Sequence, residues 1–141
     1  MRMLPLFAAL VGMVVVVGGC ASTTGPDPAD LEGTWVVESF GAAEGLTDAD
    51  PAVTSVITLK ADEATGSGGV NSFSGSYQAS DDGSISFGPL AATKMAGEPA
   101  AMEQESAFFA ALEAARSFEF NEGKLVFGDM GNNTLVVLVP Q

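Results

Sequence analysis

Three pairs of carboxylates stand close along the chain: Asp48 with Asp50, Asp62 with Glu63, and Asp81 with Asp82. Converging acids are what general acid–base catalysis and calcium binding require. Each pair here sits in a polar, turn-like stretch, and none has the spacing of an EF-hand loop, so they read as solvated turns on an acidic surface. The segment GSGGVNSFSGSY, residues 66–77, offers a different chemistry, a glycine-rich loop whose backbone amides cradle a ligand. It lacks the Gly-Lys-Ser/Thr ending of a phosphate-binding loop, and Asn71 stands where a dinucleotide fingerprint needs its third glycine. Alternation through Phe73, Gly75 and Tyr77 continues it as a strand, so its glycines are expected to serve tight turns and close backbone approach. Lys94 is one of few cations; it is either an anion or partner contact or, as expected of surface charge, the ion-pair partner of one of the many acids. Asn71, Ser72, Tyr77 and Lys94 are the candidate contacts for a ligand or partner.

Histidine is absent and the single cysteine is Cys20. That inventory excludes Cys/His zinc sites, Ser-His-Asp triads, Cys-His dyads and a disulfide within the domain. Carboxylates, hydroxyls, lysines and Tyr77 are left, and no catalytic residue, metal site or cofactor is assigned.

The amino terminus carries its own signal. Met1-Arg2-Met3 leads into the apolar run LPLFAALVGMVVVV and then small residues, the layout of a secretion signal. A retained membrane helix over 3–20 is the competing reading, at the lower edge of a bilayer span; Pro5, the lone Arg2 and the lack of a basic cluster after the run argue against it. The junction VGGC, residues 17–20, resembles the lipobox of bacterial lipoproteins. On that reading residues 1–19 are removed and Cys20 becomes an acylated first residue, anchored stably because two or more acyl chains are attached. Residues 20–30, with Pro26 and Pro28 among small polar residues, form an extended tether, and residues 31–141 form one domain. The mature chain keeps Lys60, Lys94, Arg116 and Lys124 against eighteen acidic residues, a net charge of −14. Such a surface repels phosphate backbones and anionic headgroups. Nucleic acid is not an expected partner, and membrane contact is expected to run through the lipid.

The elements that must position these residues are mostly strands. GTWVVESF, residues 33–40, places Trp35, Val37 and Ser39 on one face. A polar loop over 41–54 precedes SVITLKA, residues 55–61, whose expected partner is the strand through Phe73 and Tyr77. SDDG then turns the chain into SISFG, making a hairpin. SFEF, NEG and KLVF read as a second hairpin, and GDMGNN leads to TLVVLV, residues 134–139, completing a three-stranded meander. The count comes to about seven strands. One segment, 99–116, has a helical period, with Ala101, Phe108, Leu112 and Ala115 on a stripe and Met102 and Phe109 beside it. Pro99 suits its first turn; Glu98, Glu103 and Glu105 lie toward the positive end of its dipole, and Arg116 lies at the negative end. Burying Phe108, Phe109 and Leu112 contributes about 1.5–3 kcal/mol each, so the helix reads as a plug on a sheet. The fold class is mainly β with one helix (α+β).

The order of these parts resembles the META domain family, which includes the HslJ heat-shock lipoprotein. The resemblance covers about Leu31 to Val139 and is carried by Gly33-Thr34-Trp35, the N-x-F-x-G-x-Y run from Asn71 to Tyr77, the T-K-M-A run from Thr93 to Ala96, and M-x-Q-E from Met102 to Glu105. It implies a compact antiparallel, lipocalin-like small barrel or strongly curved sheet packed by a single amphipathic helix and facing the extracytoplasmic space. It implies no enzyme; its members are associated with envelope stress, resistance or secretion. Many members have cysteines where this chain has Val70 and Gly97, and the joint loss implies that the two positions are close, within about 7 Å between α-carbons. The expectation is therefore a lipid-anchored binding or envelope-stress module, with an envelope protein as possible partner, on the cell membrane or outer membrane. The alternatives are a carrier of a small apolar ligand in the barrel and a carboxylate hydrolase, which would need a buried, facing pair of acids.

Overall fold

A computed structural model describes residues 25–42 and 45–141. After a short 3-10 turn, Pro28–Leu31, come β1 (Gly33–Ala42), β2 (Gly45–Asp48), β3 (Val56–Lys60), β4 (Glu63–Ser67), β5 (Ser72–Ala79), β6 (Ile85–Phe87) and β7 (Ala91–Ala92). Helix α1 (Pro99–Ala114) follows, then β8 (Ser117–Asn121), β9 (Lys124–Gly128) and β10 (Thr134–Pro140). The strands form one antiparallel sheet in the order β6-β5-β4-β3-β1-β10-β9-β8, with β2 added to β1 and β7 to β5. Its ends meet at a Ser84–Ser117 bridge, where the Phe118 N–H reaches the Gly83 carbonyl at 2.8 Å and the Ile85 N–H reaches the Arg116 carbonyl at 3.1 Å. The sheet is thus nearly closed into a barrel, with a single helix packed against it, as expected.

Period-2 alternation fills the interior. Trp35 and Val37 of β1, Ile57 and Leu59 of β3, Phe73 and Tyr77 of β5, Leu125 and Phe127 of β9, and Val136 and Leu138 of β10 are all buried. Helix α1 adds Phe108 and Leu112, both wholly buried, and Phe73 meets Phe108 and Phe109 edge-on at 5.9 and 5.2 Å. The helix stops two residues earlier than its apolar period suggests. Ala115 turns extended, the Arg116 N–H bonds to the Gly128 carbonyl, and the Arg116 guanidinium donates to the Glu113 and Ala115 carbonyls at 2.9 and 2.6 Å. A cation therefore satisfies the carbonyls left open at the helix end.

Ten strands form among the described residues where about seven were expected. The most consequential addition is β4, which lies between β3 and β5, so the expected direct pairing of those two strands does not occur. Its sequence, Glu-Ala-Thr-Gly-Ser, is poor in β-branched and aromatic residues. It pairs because Ala61 and Asp62, both at positive φ (51° and 66°), make a tight two-residue turn whose twist suits a hairpin. Strand β2 occupies part of the expected 41–54 loop, running beside the far end of β1 with all its residues exposed. The second half of the expected tether is also part of the domain. Gly25 abuts the Asp81 carbonyl, Pro26 sits against Gly83, and the carbonyl of wholly buried Leu31 accepts the Trp35 indole N–H at 2.9 Å. Cys20, the signal segment and the start of the tether lie outside the described residues.

Candidate functional site

The second turn of helix α1 carries two polar residues turned inward. Gln104 and Glu105 are each 4% exposed, and Glu105 is the only buried carboxylate among the described residues. Its Oε2 accepts the N–H groups of Val70 and Asn71 at 2.8 and 2.6 Å, and its Oε1 accepts the Asn71 side-chain amide at 2.6 Å. Gly68 lies flat against this side chain: a β-carbon there would overlap Glu105 Cγ and stand 2.9 Å from Oε2. Glycine is required at that position by close approach. The glycine-rich segment is thus an anion cradle after all, and the anion it holds is the chain's own carboxylate.

From this pair the bonding spreads to three connections. Asn71 Oδ1 accepts the Thr93 hydroxyl at 2.9 Å and the Met95 N–H at 2.6 Å, while Nδ2 also reaches the Met95 carbonyl at 3.2 Å. Gln104 accepts the Asp50 N–H at 2.8 Å and donates to Ser55 Oγ at 3.0 Å and the Val53 carbonyl at 3.3 Å. The Ser55 hydroxyl in turn donates a hydrogen bond to the Gly68 carbonyl at 2.6 Å. Desolvation pushes the Glu105 carboxyl up, but the bonds from Asn71 and Val70 outweigh it and hold the group below the usual glutamate range. It is a buried anion whose donors are already in place.

The sequence candidates separate in space. Asn71 is at the centre of this network. Ser72 follows it with an exposed side chain. Tyr77 points into the core beside Phe87, 6.1 Å between ring centres, and its hydroxyl is raised by burial and then by Glu32 and Asp62. Lys94 is exposed and makes no ion pair among the described residues; the pair that forms is Lys124–Glu38 at 2.8 Å, so the expected pairing falls to a different lysine. Asp48, Asp50, Asp62, Glu63, Asp81 and Asp82 are all exposed. Asp50 and Asp82 cap turns through the N–H groups of Ala52 and Ser84, and the Ser84 bonds hold Asp82 below the usual range. No group of three or more His, Cys, Asp or Glu side chains converges among the described residues.

Val70 and Gly97 touch. A β-carbon on Gly97 would lie 2.6 Å from Val70 Cγ2 and 3.4 Å from Val70 Cβ. The second spacing is near the roughly 3.5–4.5 Å between β-carbons of a disulfide; here the valine fills the space that the glycine leaves.

In the sequence Gln104 and Glu105 stand out only as part of the M-x-Q-E run, with the glutamate read as a dipole charge and neither residue as a site. The signal was available. Residues 101, 105, 108, 112 and 115 fall on one helical stripe, so a glutamate there is a charge on the inward face. Elsewhere, a hollow of about 420 Å³ between the amino-terminal segment and β8–β9 is lined by Pro26, Gly83, Ser117, Glu119 and Val126 among others, with no cation and no buried acid pair. Inside the barrel, the aromatic rings of Phe73, Phe87, Phe108 and Phe127 pack on one another and on neighbouring rings.

Comparison with known proteins follows the same outline. The model of the META domain matches residues 29–141. Two solved structures are similar: an NMR structure of a protein from Burkholderia xenovorans, 23% identical, with TM-score 0.66 over 86% of this chain and 94% of that one; and the crystal structure of a DUF4847 family protein from Bacteroides vulgatus, 20% identical, with TM-score 0.55 over 77% and 92%. At these identities the likeness is one of fold. A search of curated proteins gave no match.

Proposed function

Because the chain belongs to the META domain family, we propose that it serves as a lipid-anchored, extracytoplasmic binding or envelope-stress module rather than as an enzyme. The observation that carries the non-enzymatic part is the state of Glu105. The one buried carboxylate among the described residues is engaged by three short bonds from Val70 and Asn71, with no second acid facing it. A hydrolase of the carboxylate type needs two facing acids, about 5–9.5 Å apart in a glycosidase and about 3 Å apart where they share a proton. The motif residues Asn71, Thr93 and Glu105 are bonded to one another instead, and so hold the domain together.

The anchored part rests on the VGGC junction at Cys20 and on the acidic surface, which leaves the lipid as the means of holding the membrane. No helix among the described residues is long and apolar enough to cross a membrane. Packing of the interior aromatic rings favours a surface contact with another envelope protein over carriage of a ligand inside. Crosslinking in the native membrane followed by identification of the captured chain tests this. A discrete envelope partner is expected; a bound small-molecule mass on the purified native protein, with no protein partner, would overturn it in favour of a carrier.

A further inference from the structure

Segment 91–97 crosses the outside of the barrel with Ala92 partly buried and every other residue exposed, Met95 at 57%. It covers the edge of β5 that faces away from β4: Phe73 pairs with Ala92, Ser74 with Ala91, and the Thr93 N–H reaches the Ser72 carbonyl at 3.0 Å. A depression of about 390 Å³ is lined by Ser72–Ser74 and Ala91–Thr93, the two partners of this pairing. With so little side chain buried, the hold is mostly polar: beyond the strand pairing and the contact of Gly97 with Val70, the Ser72 N–H donates to the Thr93 hydroxyl at 3.2 Å and the other bonds run through Asn71, which accepts from Thr93 and Met95 and donates to the Met95 carbonyl.

The orientation of that amide is dictated from the other side. A carboxylate accepts and does not donate, so Asn71 must turn its NH₂ toward Glu105 and its oxygen toward segment 91–97. A neutral amide at position 105 would either set donor against donor or flip Asn71, and the flip would remove both bonds that its oxygen accepts.

We propose that segment 91–97 is a strap latched by the Glu105–Asn71 pair, and that unlatching bares the Ser72–Ser74 edge of β5 for antiparallel pairing with an extended, small-residue segment of another protein. The small-residue preference is read from the present occupant, Ala91-Ala92-Thr93, whose alanines pair with Ser74 and Phe73. Addition of a strand to an open edge supplies affinity through main-chain bonds. The use of the bared edge rests on the binding-module reading above; release of the strap does not.

Amide hydrogen exchange followed by NMR on the folded protein at pH 7 separates the latch from general stability. Thr93 and Met95 are expected to exchange faster than Val136 and Leu138. Glu105→Ala should accelerate the first pair on the order of tenfold more than the second, the loss expected for bonds to a charged acceptor. Formate added to that variant should refill the cradle and restore protection, and Glu105→Gln, of the same size, should unlatch the strap without leaving a hole. A synthetic peptide of residues 89–97, added to the unlatched variants without formate, should shift the Ser72 and Ser74 amide resonances. Equal acceleration of all four amides, or no restoration by formate, overturns the latch. Unchanged Ser72 and Ser74 signals in a variant whose strap is open overturn the docking edge, whatever the crosslinking result.

Discussion

Glu105 shows how a residue's position on its element can outweigh its type. A glutamate in the second turn of a helix would ordinarily interact with the dipole from the surface. Here the inward stripe carries it under the Gly68–Asn71 loop, where desolvation is offset by the bonds from Asn71 and Val70 and the net effect lowers its pKa. The linkage sign follows: a depressed folded-state pKa adds stability that is fully present above the unfolded value, about 4.3, and is lost as pH falls through the folded value. Urea unfolding as a function of pH should therefore show wild-type stability declining in acid with a steeper slope than in Glu105→Gln. Glu105→Ala should cost about 2–4 kcal/mol at pH 7, since it strands buried donors. Val70 and Gly97 form a second residue-scale pairing, of volume rather than charge. Gly97→Ala would press a methyl against Val70 Cγ2 at 2.6 Å, at a cost of about 1–3 kcal/mol. In a Val70→Ala background the same change should cost little, and a thermal-denaturation double-mutant cycle checks it.

At the scale of elements, the apolar face of α1 packs on the strands, while its polar bonds to the barrel come from connections rather than from strands. The loop before β5, the strap before α1 and the loop before β3 all end on Gln104, Glu105 or Asn71. Cross-linking two of these connections should stabilise the fold without altering its strands. The double variant Val70→Cys, Gly97→Cys is expected to oxidise spontaneously and to gain about 3–4 kcal/mol for closing a loop of this length. Equilibrium unfolding with and without reductant measures the gain. Strands such as β1, β9 and β10 were legible because their buried faces alternate with exposed ones. Strand β4 was not, because its buried face holds Ala64, a residue of low β propensity; only its turn, closed through positive φ at Ala61 and Asp62, and its neighbours on both sides make it a strand.

On the scale of the whole molecule, an acidic domain carries its amino-terminal segment against the Asp81–Gly83 turn, at the seam where β6 meets β8. The reading of a lipid anchor belongs here. Metabolic labelling with palmitate should mark the wild-type protein and fail in Cys20→Ala, which should then appear in the soluble fraction; label persisting in that variant would refute the anchor. By itself the sequence determined the class of fold, the inward faces of the longer strands, the apolar stripe of α1 and the chemistry excluded by the absence of histidine and a second cysteine. These follow from residue inventory and short-range periodicity, which any local window of the chain contains. Only the tertiary structure decided that the glycine-rich loop closes on Glu105, 34 residues away from Asn71, and that Asn71 then holds Met95. Whether a loop amide meets a ligand, water or its own chain's carboxylate depends on which distant segment folding brings to it. No spacing within the loop encodes that partner.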